Sequence, residues 1–257
     1  GSESINSNLA IVEMCTEALG KNRLPKKAVQ IIPTVDRNAV KSLITQKETV
    51  DVIIPRGGKS LIQTISENAT VPVIKHLDGV CHVYVDKEAN IDKALKITDN
   101  SKTQRFGTCN TLETLLVSTD IAPVFLPKIY DLLLKKSIEM RICSDTKKIL
   151  FKCGCDLSRI SDATEDDWST EYLSNIISIK TVFDINEAIS HISFYGSNHT
   201  DCIVTENHSK AMKFLQKVDS SSVMINASTR FADGFQYGLG AEIGISTNKL
   251  HARGPVG

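Results

Sequence analysis

Strand-like and helix-like segments alternate along almost the whole of this chain, and that alternation constrains its fold more than any other feature. Apolar residues at Ile5, Leu9, Val12, Cys15 and Leu19 form a helical stripe. Residues 28–32 then read as a short buried strand stopped by Pro33. Residues 36–43 read as helix, 50–54 as a strand running into Pro55-Arg56-Gly57-Gly58, and 59–67 as helix again. The pattern continues with strands at 71–74, 82–85, 113–117, 139–143, 176–182, 202–205 and 223–226. Helices are expected between them at 90–101, 123–135, 185–193 and 208–218, with a polar, acidic loop at 158–169. Such spacing predicts an α/β architecture with a mostly parallel sheet. Beyond Phe231, the glycines at 234, 238, 240, 244, 254 and 257 predict irregular backbone around a site.

Composition narrows the function classes. The 257 residues carry zero formal net charge and are 41% hydrophobic, enough for one large core or two modest ones. Balanced charge argues against a nucleic-acid surface, which carries a basic excess. Apolar runs such as Val71-Pro72-Val73-Ile74 are far too short for a bilayer, and no basic-then-apolar leader precedes the first stripe. The reading is therefore cytoplasmic, with no membrane and no nucleic-acid partner. Seven cysteines, an odd number, read as reduced thiols. Cys153-Gly154-Cys155 lacks a second Cys/His pair nearby, so it reads as two incidental thiols and not as a metal site.

Five segments could carry chemistry. In Thr103-Gln104-Arg105-Phe106-Gly107-Thr108-Cys109-Asn110, a cysteine follows a small-residue turn and precedes an apolar run. A sulfur so placed can face a cleft among backbone N–H groups, the setting a nucleophilic thiolate of lowered pKa needs. The same position also suits a buried structural cysteine. Arg56-Gly57-Gly58-Lys59-Ser60 links a strand-like run to a helix, and helix N-termini bind anions; it matches neither common nucleotide-loop pattern and could equally be a capped loop. His76-Leu77-Asp78-Gly79-Val80-Cys81-His82 sets two imidazoles and a thiol beside a turn between strands; a metal would need spacing partners that neither histidine has, so one of them reads as structural or site-lining. Asn226-Ala227-Ser228-Thr229-Arg230-Phe231 combines small hydroxyls with an arginine able to clamp a carboxylate, or forms a simple hydrogen-bonded turn. His251-Ala252-Arg253-Gly254-Pro255 is similarly open to both readings.

Taken in order, these segments resemble the γ-glutamyl phosphate reductases of the aldehyde dehydrogenase superfamily, a module that also forms the reductase half of Δ1-pyrroline-5-carboxylate synthase. The resemblance runs through almost the whole chain. It is carried by Asp51-Val52-Ile53-Ile54-Pro55-Arg56-Gly57-Gly58, Cys81-His82-Val83-Tyr84-Val85-Asp86 and Lys102-Thr103-Gln104-Arg105. Cys109-Asn110, Tyr195-Gly196-Ser197-Asn198-His199-Thr200-Asp201, the 226–234 run and Gly238-Leu239-Gly240-Ala241-Glu242 extend it. The resemblance implies a partial Rossmann-type cofactor domain plus an α/β catalytic domain, in a chain that reads as truncated at both ends. Residues 1–108 would be the C-terminal part of the NADP-binding domain and 109–225 the catalytic domain. Residues 226–257 would be a glycine-rich site segment leading to a missing tail.

By the same resemblance, Cys109 is the nucleophile; backbone N–H near it and the Asn110 amide are the candidates to stabilise the oxyanion. The turn Arg56, Gly57, Gly58, Lys59 and Ser60 approaches the cofactor pyrophosphate, Ser2 and Glu3 approach the adenosine ribose, and Glu171 holds the nicotinamide ribose. Arg105 and Arg230, with Ser228 and Thr229, are expected to bind the substrate's phosphate and α-carboxylate; which arginine takes which end stays open. His76 falls where aldehyde dehydrogenases carry a general-base glutamate, a departure that suits an acyl phosphate substrate because no water has to attack the thioester. The implied reaction is NADPH-dependent reduction of L-glutamyl 5-phosphate to L-glutamate 5-semialdehyde in proline biosynthesis. Implied partners are a glutamate 5-kinase, separate or fused, and further copies of the chain in a homo-oligomer. Two other readings stand beside it: an aldehyde dehydrogenase oxidising a small aldehyde, and a catalytically silent piece serving in assembly.

Overall fold

The computed structural model describes residues 2–75, 78–249 and 253–256. Two compact units divide the chain, Gly1–Ile74 and Lys75–Gly257. The span 1–108 of the sequence reading runs across both.

The first unit is mostly helical. Helix α1 spans Ile5–Lys21, α2 Arg37–Leu43 and α3 Lys59–Asn68. Asp36 caps α2 by accepting the Asn38 N–H. The strands expected at 28–32, 50–54 and 71–74 do not form as such. Residues 26–28 make a single 3-10 turn, and the other two runs meet in one parallel bridge, Ile53 with Val73. Apolar residues alone do not make a strand; it exists through the ladder its partner supplies.

The second unit is built on a seven-stranded sheet whose pairings are all parallel. Its strands are β1 (Cys81–Val85), β2 (Leu112–Ser118), β3 (Glu139–Ile142), β4 (Ile160–Asp162), β5 (Ile176–Val182), β6 (Thr200–Val204) and β7 (Ser222–Ile225), in the order β4-β3-β5-β2-β1-β6-β7. Parallel strands need crossovers, supplied by α4 (Ile91–Thr103), α5 (Ala122–Lys135), α6 (Ser144–Lys152), α7 (Ile185–Tyr195) and α8 (His208–Lys217). Side-chain caps fix several starts: Asn90 accepts from Lys93 N–H, Asp184 from Asn186 and Glu187, and Asn207 from Lys210.

The helices cover both faces. Phe125, Leu126, Ile129 and Leu133 of α5, with Ala94 and Leu150, pack on Val83, Leu115, Val117 and Ile179. On the other face Ile185, Ala188, Ile192 and Phe214 pack on Tyr84, Leu116 and Ile203. Every residue of β1, β2 and β6 is buried, so these strands show no regular alternation of apolar and polar residues. A register shift interrupts the β1–β2 ladder, where Cys81 faces Leu112 but His82 faces Thr114. Glu113 is the extra residue. The bulge also explains how Leu112 and Leu115, an odd step apart, join one core cluster.

The sequence reading has no element at α6 and treats β4 as part of a polar loop. Helix α6 starts on a cysteine, Cys143, whose sulfur accepts from Thr146 N–H, an unusual cap, and β4 is three residues long. Past β7 the described residues include a 3-10 turn at Thr229–Phe231 and two short strands, β8 (Gly244–Ser246) and β9 (Gly254–Val256), which pair antiparallel.

Candidate active site

Cys109 lies on the turn that links α4 to β2, at the amino ends of β1 and β2. Ligands of open parallel sheets commonly sit at the carboxyl ends instead. What makes this end usable is a close backbone approach. A Cβ added to Gly79 would lie 2.0 Å from the Cys109 carbonyl oxygen and 2.6 Å from its Cα, so only glycine lets the entry to β1 lie on the cysteine. The Gly79 N–H donates to Glu171 Oε1 at 2.8 Å. Val80 N–H donates to Ser197 Oγ at 2.9 Å, and the fully buried Cys81 thiol donates to the Cys109 carbonyl at 3.2 Å.

The partly buried Cys109 thiol is pushed up to about 11. Burial is the largest cause; the Glu171 and Glu242 carboxylates add to it, while its own N–H and the Arg230 guanidinium oppose it. The lowered thiol pKa expected from the sequence is therefore not present. Two carboxylates face the sulfur where the turn alone suggested only N–H groups. Glu242, whose Oε2 accepts the Gly234 N–H at 2.9 Å, reaches this place from the glycine-rich segment.

Arg230 is half-buried and its direction is fixed. Its Nε donates to Gln104 Oε1 at 2.8 Å and its Nη1 to Thr108 Oγ1 at 2.7 Å, both residues of the cysteine loop. Burial brings its pKa down; Cys109 pulls the other way, and the nearby Arg105 charge adds to the lowering. Arg105 is exposed on the same loop, its carbonyl accepting from Thr111 Oγ1 at 2.7 Å. Ser228 and Thr229 are buried and engaged within the protein. Ser228 Oγ pairs with Ser101 Oγ and accepts the Arg230 N–H; Thr229 Oγ1 donates to the Asn110 carbonyl at 2.7 Å. The Asn110 amide donates to Ala232 O at 3.0 Å, and its buried Oδ1 has no hydrogen-bond partner among the described residues. These bonds lock the 228–232 segment onto the cysteine turn and present Arg230 beside it.

The expected pyrophosphate turn belongs to the first unit. Gly58 starts α3 with no side-chain cap, and a Cβ there would meet open space. Gly57, with φ +157°, packs so closely that a Cβ would sit 2.7 Å from Leu61 Cδ2. Open space before uncapped N–H groups of a ten-residue helix suits a diphosphate. Arg56 and Ser60 are exposed, and Ser2 and Glu3 belong to a 3-10 turn ahead of α1. His76, His251 and Ala252 lie outside the described residues.

The aldehyde dehydrogenase family profile matches residues 2–146. This chain belongs to the aldehyde dehydrogenase family. Within it, the chain is similar to γ-glutamyl phosphate reductase from Thermotoga maritima: 48% identity across all of this chain, TM-score 0.95. It is also similar to the γ-glutamyl phosphate reductase of Saccharomyces cerevisiae, 32% identical over 93% of this chain with a TM-score of 0.51. The chain spans 60% and 58% of the lengths of those two proteins. A glyceraldehyde-3-phosphate dehydrogenase from Methanocaldococcus jannaschii, solved with NADP, shares the fold at 18% identity and TM-score 0.66; 89% of this chain matches 57% of that one.

The structure brings Cys109, Asn110, Arg105, Ser228, Thr229, Arg230 and Glu171 into one neighbourhood. Gly79, Cys81 and Glu242 also border the site, with no role expected from the sequence. A glycine two residues ahead of a buried strand was the available signal for the first; the other two depend on contacts between distant segments.

Proposed function

We propose that the whole protein reduces L-glutamyl 5-phosphate to L-glutamate 5-semialdehyde, releasing phosphate, with NADPH as reductant. The observation that supports this most is Arg230, clamped by Gln104 and Thr108 beside the Cys109 thiol, in a chain 48% identical to a γ-glutamyl phosphate reductase. An anionic acyl donor needs a fixed guanidinium next to the nucleophile.

Cys109 attacks the acyl carbon and phosphate leaves, giving a thioester and splitting one hard step into two easier ones. The thiol must first lose its proton, and the Glu242 carboxylate is a base that faces it. Backbone N–H of the cysteine turn, with the Asn110 amide, stabilises the oxyanion. Arg105 and Arg230 hold the substrate's anionic groups, and Ser228 and Thr229 serve by fixing Arg230. NADPH, when bound, would supply the hydride that takes the thioester carbon to the aldehyde, with the Cys109 sulfur released as its thiolate. Arg56, Gly57, Gly58, Lys59 and Ser60 would hold its pyrophosphate, Ser2 and Glu3 its adenosine ribose, and Glu171 its nicotinamide ribose. In this reading 1–108 is the cofactor-binding part, 109–225 the catalytic part and 226–257 the site segment. The protein works in the cytoplasm as a homo-oligomer, supplied by a glutamate 5-kinase.

One observation favours the silent-piece reading: a Cys109 thiol pushed up to about 11 is a poor nucleophile as it stands. Reduction of NADP+ by glutamate semialdehyde separates the readings. Activity that requires added phosphate and disappears in Cys109→Ser supports the reductase. Phosphate-independent activity sinks it in favour of a simple aldehyde dehydrogenase, and no activity even in a chain extended to the relatives' length leaves the silent piece.

A further inference from the structure

Beside the Cys109 turn lies a buried ion pair with no place in the proposed chemistry. Lys102 Nζ and Glu113 Oε2 are 2.7 Å apart, and neither side chain has any exposure. Burial raises Glu113 to about 7 against the pull of Lys102, and lowers Lys102. Such a pair is weak evidence for stability, because desolvation offsets its attraction, so its placement is the informative part. Lys102 lies in the last turn of α4 and Glu113 in β2, so the pair ties together the two stems of the loop that carries Cys109. Glu113 is also the extra residue of the β1–β2 bulge, a device that re-aims a side chain out of the ladder.

The second Glu113 oxygen reaches a third segment. Oε1 accepts the Leu173 N–H at 3.2 Å. Leu173 has φ +51°, a left-handed conformation disfavoured for a residue with a bulky side chain, so something must hold it. Two residues earlier is Glu171, whose carboxylate holds the Gly79 N–H and bears on the Cys109 thiol.

We propose that Lys102 and Glu113 are positioning residues for Cys109: their ion pair fastens the stems of the cysteine loop, and through the strained Leu173 turn it keeps the Glu171 carboxylate beside the sulfur. The proposal rests on the reading of Cys109 as the reacting thiol.

The test is alkylation of Cys109 by iodoacetamide across pH in the full chain, followed at that one cysteine by peptide mass spectrometry. Replacing Lys102→Met and Glu113→Leu together removes both buried charges, and with them the acceptor for Leu173. The expected result is a lower alkylation midpoint and a severalfold faster reaction near pH 8, because the Glu171 charge no longer stays at the thiol. Glu171→Gln alone should give the same change, and adding it to the double variant should give no more. An unshifted double variant beside a shifted Glu171→Gln overturns the proposal. Lys102→Arg guards against a double variant that does not fold: it keeps the charge pair with Glu113 and the acceptor for Leu173 and should keep the native profile, and a shift as large as that of Glu171→Gln also overturns it. Loss of turnover in Cys109→Ser is read separately, so failure of the nucleophile reading and failure of the positioning role are distinguishable.

Discussion

Replacing Gly79 by alanine tests whether backbone contact sets the position of Cys109. The added methyl would lie 2.0 Å from the Cys109 carbonyl oxygen, 2.6 Å from its carbonyl carbon and 2.6 Å from its Cα, where 3.0 Å is the closest real approach. All three are backbone atoms, so no side chain can swing aside, and the turn must retreat by about 1 Å. Overpacking of this kind costs about 1–3 kcal/mol, with the upper end expected here. A displacement of about 1 Å at a reacting group costs on the order of a hundredfold in rate. Gly107, on the other side of the same cysteine, is the control, since a Cβ there meets nothing within 4 Å. Gly79→Ala should therefore lower the melting temperature by about 5–10 °C and, under the proposed function, reduce phosphate-dependent turnover of the whole protein about a hundredfold. Gly107→Ala should stay close to wild type in both. Thermal melts and steady-state kinetics on the two variants decide the matter. Equal behaviour of the pair would refute the claim that the Gly79 approach positions the nucleophile.

Three further perturbations have expected outcomes. Arg230→Lys keeps the charge but cannot reproduce the bonds to Gln104 and Thr108; steady-state kinetics should show an apparent KM for the acyl phosphate about ten- to a hundredfold higher, with little change in melting temperature. Lys102→Met alone strands Glu113 in the interior and should cost about 3–5 kcal/mol by urea denaturation, most of it recovered when Glu113→Leu is added. Asp167 is held down to about 2 from its ordinary 3.8: burial pushes upward but is outweighed by Thr164, Arg141 and Tyr172 donating to its carboxylate. With the folded value below the unfolded one, its contribution is present above about pH 4 and fades as pH falls through 2. The stability gap between wild type and Asp167→Asn should accordingly narrow by about 2 kcal/mol from pH 5 to pH 2 in denaturant titrations.

What was legible in the sequence follows physical range. Helices α4, α7 and α8 announce themselves locally, through Asn90, Asp184 and Asn207 at their caps and a repeating apolar face. The buried strands β1, β2 and β6 read as short apolar runs between them. Three similar runs in the first unit gave a single bridge, because a run of valines and isoleucines looks the same with or without a paired neighbour. The site divides along the same line. Cys109, Gln104 and Thr108 share one loop and could be seen together. That Arg230 would join them was suggested only by resemblance, since 126 residues separate it from Gln104. The bulge at Glu113 and the left-handed turn at Leu173 leave no trace in composition or period. The raised Cys109 thiol was also hidden, for it depends on burial and on carboxylates from two other segments.

The central claim is that Cys109 carries the acyl group. The most direct measurement is peptide mass mapping of the chain after exposure to L-glutamyl 5-phosphate, generated in place by a glutamate 5-kinase and ATP, with NADPH left out. One glutamyl group on Cys109, absent in Cys109→Ser and lost on adding hydroxylamine, is the predicted result. An unmodified Cys109 in a chain long enough to turn over substrate, or a glutamyl group on another residue, would contradict it.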